Sequence, residues 1–167
     1  DQNGVLAQLE PTTVERLNLS MPAAWSRANP LDIIGDAGPD RYERAIEASF
    51  ADRNCDAILA INCPTALASS TDVAKRVVDT YQRSGRAKAL ITNWLGDGAA
   101  EPARRHFTAN RIPTFETPGA AVRGFMQLVG HTRAQEALMR TPPAMPHQVE
   151  PDEVEAGRVI GAAVEQG

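Results

Sequence analysis

The chain has 167 residues, of which 43% are hydrophobic and 23% are charged, a composition typical of a globular domain rather than of a disordered segment. Its 17 Lys and Arg residues are outnumbered by 21 Asp and Glu residues, and the formal net charge is −4. This balance argues against a nucleic-acid or anionic-membrane surface as the main function, and no apolar run approaches the ~18 residues that a membrane helix needs.

The first half of the sequence alternates short apolar runs with amphipathic stretches. Residues 5–9 and 31–34 are predicted as short strands, and residues 57–61 as a strand covered on both faces. Pro39 begins a predicted helix whose apolar positions continue to Phe50. The next helix follows the capping signal at Ser69 and ends at Ser84-Gly85.

The same alternation continues through the second half. We predict a strand at 89–94, a helix at 99–110, a short strand at 112–115, and an amphipathic helix that begins at Thr117-Pro118 and ends near Val129. The strands at 31–34, 57–61, 89–94 and 112–115 alternate with helices through short connections. This order predicts an α/β fold: a parallel sheet with helices on both faces.

The chain is expected to contain a domain at 1–131, a Pro-rich linker at 132–150 and a further helix at 151–167. Thr141-Pro-Pro-Ala-Met-Pro146 is the centre of the predicted linker, because this sequence suits neither a helix nor a central strand. The final helix is expected to lead into a following domain. The chain opens in mid-pattern on Asp1, so we expect it to be a piece of a longer protein.

The two cysteines, Cys55 and Cys63, flank the predicted strand at 57–61. The two ends of a strand of this length lie about 20 Å or more apart, which is too far for a disulfide. The cysteine spacing does not match a metal site either, so the sequence predicts free thiols and a reducing, cytoplasmic location.

Nucleotide-binding fingerprints are absent from the sequence: it contains neither G-x-G-x-x-G after a strand nor G-x-x-x-x-G-K-[ST]. In open parallel sheets, ligands bind at the carboxyl ends of strands and at helix N-termini. The loop 62–70 is therefore the best candidate for binding a carboxylate or phosphoryl group, and a simple helix-capping turn is the alternative. Cys63 lacks a recognisable general base, so a catalytic cysteine is not expected.

An ordered set of motifs resembles the NDP-forming (ADP-forming) acyl-CoA synthetases, a family that also includes the synthetase-like part of bacterial protein lysine acetyltransferases. The motifs are Asn29-Pro-Leu-Asp-Ile-Ile-Gly35, Arg41-Tyr-Glu-Arg-Ala45, Ala57-Ile-Leu-Ala-Ile-Asn-Cys-Pro-Thr-Ala66, Asn93-Trp-Leu-Gly96 and Arg111-Ile-Pro-Thr-Phe115. The resemblance implies a flavodoxin-like three-layer ligase domain, corresponding to the carboxyl-terminal domain of the succinyl-CoA synthetase beta subunit. The family's first strand and Gly-rich turn are absent from this chain.

The resemblance also implies a site. It places Asn62, Cys63, Pro64, Thr65 and Ala66 near the acyl carboxylate or phosphoryl group, with Asp32 and Gly35 on the neighbouring loop. It assigns no catalytic or metal-binding residue to this chain. The family's phosphohistidine belongs to another domain, and Gly130-His131-Thr132 only superficially echoes its setting.

The domain alone is expected to bind no cofactor and to be inactive. The parent enzyme would use CoA, ATP or ADP, and Mg, and its CoA-binding, phosphohistidine and ATP-grasp domains would be the partners, with homo-oligomers possible. The ligand would be an acyl phosphate or small carboxylate. The alternative is a stand-alone flavodoxin-like module that binds a small anion or regulates a partner without ligase chemistry.

Overall fold

The computed structural model of the protein describes residues 4–140 and 152–165, which divide into two compact units, Asp1–Thr132 and Arg133–Gly167. The described residues form six helices and three strands. In chain order these are α1 (Pro11–Asn18), α2 (Pro39–Ala51), β1 (Ala57–Asn62), α3 (Ser70–Arg83), β2 (Ala89–Trp94), α4 (Glu101–Ala109), β3 (Thr114–Phe115), α5 (Pro118–Met139) and α6 (Glu153–Glu165).

The three strands form one parallel sheet in the order β1-β2-β3. Alternate residues of β2 point to opposite faces of this sheet. Leu90 and Trp94 belong to a hydrophobic core that also contains buried residues of α3 and α4, such as Val77 and Phe107. Both crossover helices therefore cover the same face, and the sheet and its helices confirm the predicted α/β, flavodoxin-like fold.

The opposite face of the sheet is only partly covered. Phe115 pairs with Asn93 of β2 and so faces away from the α3–α4 core, and its ring packs directly against Gly124 of α5. Helices thus lie on both faces, as predicted. On the neighbouring strand, Leu59 and Ile61 remain 37% and 44% exposed.

Local sequence signals set the ends of the main helices as expected. Pro39 occupies the first turn of α2, and the hydroxyl of Ser69 accepts a hydrogen bond of 3.2 Å from the Asp72 amide at the start of α3. Gly85 follows α3 with φ +67°, a left-handed conformation that glycine adopts without a steric penalty. Thr117 caps α5 by accepting from the Ala120 amide.

The predicted strand at 31–34 is wrong, because this segment is a loop. The Asp32 carboxylate accepts a hydrogen bond of 2.9 Å from the Ile34 amide, and the Ser26 hydroxyl accepts one from the Asp32 amide. Ile34 adopts φ +69°, which is incompatible with a strand. Local side-chain bonds of this kind satisfy the backbone and replace the ladder of a strand.

The predicted strand at 5–9 is also absent, and helix α1 was not predicted. Residues 4–10 have no regular secondary structure and pair with no strand in the described structure. Leu9 is instead buried with Leu17, Met21 and Trp25 in a second core, against the back of α2. Cys55 is buried in the same core, whereas Cys63 is exposed, and both are free thiols, as predicted.

Helix α5 is longer than predicted: it continues to Met139, through residues 132–139 that were predicted to begin the linker. The sequence Ala134-Gln-Glu-Ala-Leu-Met139 consists of good helix formers, so the helix has no reason to stop before them. Gly130-His131-Thr132 lies inside this helix. The Pro-rich segment 141–146 lies outside the described residues, and α6 occupies most of the final predicted helix. Within the described ranges, no helix is both long and apolar enough to cross a membrane.

Candidate functional site

A cavity of about 200 Å³ opens at the carboxyl end of β1, where the loop 62–69 meets the loop 31–37. This is the edge of a parallel sheet at which ligands characteristically bind. Its lining combines both loops with one residue of α2. The lining residues are Leu31, Asp32, Ile33, Ile34, Gly35, Ala37, Tyr42, Ile61, Asn62, Cys63, Thr65 and Ala68.

Five of the seven residues predicted for the site line this cavity: Asp32, Gly35, Asn62, Cys63 and Thr65. The two loops are joined directly, because the Thr65 hydroxyl donates a hydrogen bond of 3.2 Å to the Gly35 carbonyl.

Pro64 and Ala66 lie outside the lining, although both were predicted to belong to the site. The Pro64 ring lies against Gly96 instead, 3.8 Å from where a side chain at that glycine would begin. Ala66 is exposed. It lies in the turn between Thr65 and Ala68, which pair with each other as an isolated antiparallel bridge.

Asn62 is held by a buried hydrogen-bond network. Its side-chain amide donates to the Tyr42 hydroxyl at 3.1 Å, and the Tyr42 hydroxyl donates to the Ile61 carbonyl at 2.9 Å. Its side-chain oxygen accepts from the Ser70 hydroxyl at 2.7 Å, and the Ser70 carbonyl in turn accepts from the indole of Trp94. Asn62 therefore fixes the relative positions of α2, β1 and α3.

The N-terminus of α3, the feature that suggested an anion site, is capped in part by its own residues. Ser69 caps the Asp72 amide, and Asp72 places a carboxylate in the first turn. Hydrogen bonds to the Ser69 and Lys75 side chains lower the pKa of Asp72, so the carboxylate is ionised at neutral pH. A negative side chain in the first turn complements the helix dipole and competes with an anionic ligand.

Ala68 belongs to the predicted binding loop 62–70, but six other lining residues were not predicted for the site: Tyr42, Leu31, Ile33, Ile34, Ala37 and Ile61. Tyr42 was assigned to the apolar face of α2, and burial raises its pKa, so it is a neutral hydrogen-bonding group here. Ile33 reaches the cavity because the Arg41 guanidinium donates to its carbonyl at 2.9 Å and also pairs with Asp36. A loop held by such bonds gives no periodic signal in a sequence.

The cavity lining contains no His, Arg or Lys. His106 lies in α4 and His131 in α5, neither of which contributes to the cavity lining, and His147 lies outside the described residues. Among the described residues, no group of three His, Cys, Asp or Glu side chains could hold a metal ion.

A second depression, between α4 and the end of β2, is wide and open to solvent, and charged side chains line much of it. The Arg104 guanidinium there donates to the Trp94 carbonyl at 3.0 Å, and Arg105 pairs with Glu101 at 3.2 Å. The positive charges of this surface are thus engaged within the protein, and it serves to hold the end of β2 against α4.

The fold and the cavity define an α/β domain with a candidate binding site at the carboxyl edge of a parallel sheet. The chain is 30% identical over 97% of its length to Acetate--CoA ligase [ADP-forming] I of Archaeoglobus fulgidus, and covers 24% of that protein. It is 32% identical over 65% of its length to the alpha subunit of Acetate--CoA ligase [ADP-forming] I of Pyrococcus furiosus, and covers 23% of it. No protein-family model matches the chain.

The fold is similar to that of the dinucleotide-forming acetyl-coenzyme A synthetase 1 of Ca. Korarchaeum cryptofilum in complex with phosphate and ADP. The TM-score is 0.78 at 25% identity, covering 85% of this chain and 31% of that one. The chain is therefore a homologue of one segment of the ADP-forming acetyl-CoA synthetases, which confirms the resemblance to the acyl-CoA synthetase family. It spans about a quarter of the length of the curated relatives it matches.

Proposed function

We propose that this chain works as one domain of an ADP-forming acyl-CoA synthetase, where it supplies a wall of the site that holds the acyl group. The overall reaction joins a short carboxylate to CoA while ATP is converted to ADP and phosphate. The relatives named above carry this activity in their names. Because the chain spans only a quarter of them, we expect it to be inactive alone.

The observation that carries the proposal is the cavity at the end of β1. Its lining includes Asp32, Gly35, Asn62 and Thr65, which all lie in two of the motifs that resemble the family. A cavity at this edge of the sheet can be closed by another domain, as ligand sites between domains commonly are.

The remaining chemistry would come from partner domains. A cavity of about 200 Å³ is smaller than the ~300–1,000 Å³ of sites for drug-sized ligands, so it cannot enclose CoA or an adenine nucleotide. We therefore assign the binding of CoA, of ATP or ADP with Mg, and the phosphohistidine, to CoA-binding, ATP-grasp and phosphohistidine domains of the same protein. Transfer of an acyl group to protein lysines in place of, or besides, acyl-CoA synthesis stays an alternative prediction.

The test is a steady-state assay of the enzyme that contains this chain, measured as acetyl-CoA and ADP formed from acetate, CoA and ATP. Thr65→Val keeps the size of the side chain but removes the hydroxyl that holds the Gly35 loop. We expect kcat/KM for the carboxylate to fall about fivefold, the effect of losing an interaction worth ~1 kcal/mol. Gln82→Ala, at an exposed position near the far end of α3, is the control and should keep full activity.

Absence of ADP-forming activity with any short carboxylate would contradict the proposal, as would equal activity of Thr65→Val and Gln82→Ala. The stand-alone anion-binding module predicts instead that the isolated chain binds phosphate tightly. No observation favours that function, since the lining offers one carboxylate and no cationic side chain.

A further inference from the structure

Arg104 of α4 holds the turn at the end of β2, residues 94–97. Its guanidinium donates to three carbonyls of this turn, those of Trp94 (3.0 Å), Gly96 (2.6 Å) and Asp97 (3.4 Å). Backbone carbonyls where a chain leaves a sheet need donors from elsewhere. A guanidinium suits this task, because its N–H donors form a rigid planar fork. Arg104 therefore fixes the shape of the turn from the neighbouring helix.

The same turn contacts the segment after β1 on both sides of Cys63. The Leu95 amide donates a hydrogen bond of 2.9 Å to the Asn62 carbonyl. One residue further on, the Pro64 ring lies against Gly96, whose φ of +92° turns the chain there. Because Asn62 and Pro64 are the chain neighbours of Cys63, the position of the turn determines the position of Cys63.

Cys63 lies in the lining of the cavity at the carboxyl end of β1. Arg104 is not part of that lining and belongs instead to the open depression beside α4. The contacts thus run from α4 through the turn to the wall of the cavity. The opposite wall is held in a similar way, because the Arg41 guanidinium of α2 donates to the Ile33 carbonyl at 2.9 Å.

From these contacts we propose that Arg104 is a positioning residue for the candidate cavity. By holding the turn 94–97 through three carbonyls, it places Cys63 and the loop 62–69 that forms one wall. Arg104 acts through the turn and contacts no ligand. The inference holds whichever ligand the cavity takes, and only its consequence for turnover rests on the proposed function.

The Cys63 thiol can report its own position. Cys63 is exposed, whereas Cys55 is only 6% exposed, so iodoacetamide should alkylate Cys63 first. Mass spectrometry of the 167-residue chain gives the rate constant for each thiol. We expect Arg104→Gln to change the rate constant of Cys63 by about threefold or more, because thiol reactivity depends on access and surroundings. Arg105→Gln removes the neighbouring guanidinium, which pairs with Glu101, and is the matched control that should leave the rate unchanged.

Arg104→Lys separates charge from shape. A lysine keeps the positive charge but presents its donors from a single point, so it cannot hold all three carbonyls. We expect the rate constant of Cys63 to change in the same direction as in Arg104→Gln. Restoration of the original rate by lysine would overturn the inference, since charge alone would then explain the effect. Equal acceleration of Cys63 and buried Cys55 would overturn it too, because it would show general loosening of the fold.

The route through the turn is tested with Pro64→Ala, which removes the ring that lies against Gly96. We expect Arg104→Gln to change the Cys63 rate constant by a smaller factor in the Pro64→Ala chain than in the original chain. The reason is that one of the two contacts between the turn and the cavity wall is already lost. Equal factors in both chains would overturn the proposed route, and with it the inference.

The consequence for turnover is measured in the enzyme that contains this chain. Arg104→Gln should raise KM for the carboxylate about threefold or more with kcat little changed, because a displaced wall weakens binding without touching the reacting atoms. Arg105→Gln should alter neither constant. A loss confined to kcat, or no change in either constant, would overturn the positioning role. An enzyme without ADP-forming activity would contradict the proposed function alone, since the thiol rates are measured on the chain itself.

Discussion

Ser70 donates a hydrogen bond of 2.7 Å from its hydroxyl to the side-chain oxygen of Asn62, and both residues are buried. The bond joins the first residue of α3 to the last residue of β1. Because the amide of the same Asn62 side chain donates to Tyr42 of α2, one residue links three elements at the edge of the cavity. Asn62 therefore acts mainly by positioning α2, β1 and α3.

A double-mutant cycle tests this link. Asn62→Ala and Ser70→Ala each leave a buried polar partner unsatisfied, so each should lower the free energy of unfolding by about 1–3 kcal/mol. The double variant should lose less than the sum, with a coupling of at least ~0.5 kcal/mol, because both changes break the same bond. Urea unfolding, followed by the fluorescence of the buried Trp25 and Trp94, measures all three variants. Strict additivity of the two losses in the free energy of unfolding would contradict the link. Gln82→Ala, which loses an exposed hydrogen bond to Asn110, is the control.

Glu43 of α2 joins α2 to α3 through Arg76, at 2.5 Å, and Arg83. The hydrogen bond from Arg76 and the second pair with Arg83 lower the pKa of Glu43 below its usual value. A carboxyl with a lowered pKa stabilises the fold above its unfolded pKa, ~4.3, and this contribution is lost as the pH falls through the folded value.

We therefore expect Glu43→Gln to lower the free energy of unfolding at pH 7 by no more than about 1 kcal/mol, since the arginines are partly exposed. The difference in the free energy of unfolding between Glu43→Gln and the original chain should be smaller at pH 3 than at pH 7, because protonation of Glu43 removes the ion pairs. Urea unfolding at both pH values measures it. Glu47→Gln, which loses only a pair at 3.6 Å, should have a smaller effect, and a pH-independent effect of Glu43→Gln would refute the ion-pair explanation.

Asp52 is a fully buried carboxylate at the end of α2. Burial alone would raise its pKa, but hydrogen bonds of 2.8 Å from the Glu10 and Asn54 amides, together with nearby Lys88, outweigh burial and lower it. The side chain thus ties the segment before α1 to α2. Asp52→Ala should lower the free energy of unfolding by about 2–3 kcal/mol, because two backbone amides lose a charged acceptor.

Thermal unfolding of Asp52→Ala and of the exposed control Asp56→Ala tests this expectation. Because the pKa of Asp52 is lowered, its contribution is present above about pH 3.9 and is lost as the pH falls below that value. The difference between the thermal unfolding midpoints of Asp52→Ala and the original chain should therefore become smaller in acid. A loss no larger than that of Asp56→Ala would show that the carboxylate does not hold this segment.

The sequence predicted best where a local signal determines the structure. Pro39, Ser69 and Gly85 each act within one helical turn, and the helices begin and end close to them. The strand at 31–34 was wrong because its apolar residues serve a loop, whose shape depends on Asp32 accepting from the Ile34 amide. Periodicity in a sequence cannot distinguish a short strand from an apolar loop held by side-chain bonds.

In the candidate site too, residues with a general or local signal were predicted, and residues placed by long-range contacts were not. Residues at strand ends, such as Asn62 and Thr65, were predicted because the carboxyl edge of a parallel sheet is a general binding location. Tyr42 was missed because it also fits an ordinary structural role, in the apolar face of a helix. Its place in the cavity depends on contacts between segments that are far apart in the sequence, and a single sequence carries no signal for those contacts.

Gly124 and Gly130 provide the last prediction, because they lie in the same helix with different surroundings. A side chain at Gly124 would begin 2.5 Å from the Phe115 ring, whereas nothing lies within 4 Å of the corresponding position at Gly130. Replacing glycine by alanine inside an exposed helix stabilises a protein by up to ~1 kcal/mol. Gly130→Ala should therefore raise the midpoint of thermal unfolding.

Gly124→Ala should lower that midpoint, because the new methyl group forces the Phe115 ring away from α5 and from its packing on the sheet. Overpacking of this kind typically costs about 1–3 kcal/mol. In a Phe115→Ala background the obstacle is gone, so adding Gly124→Ala should then stabilise the chain, as the same change does at Gly130. If Gly124→Ala stabilised the chain with Phe115 in place, α5 would not pack on β3 through this contact, and the second face of the sheet would be held in another way.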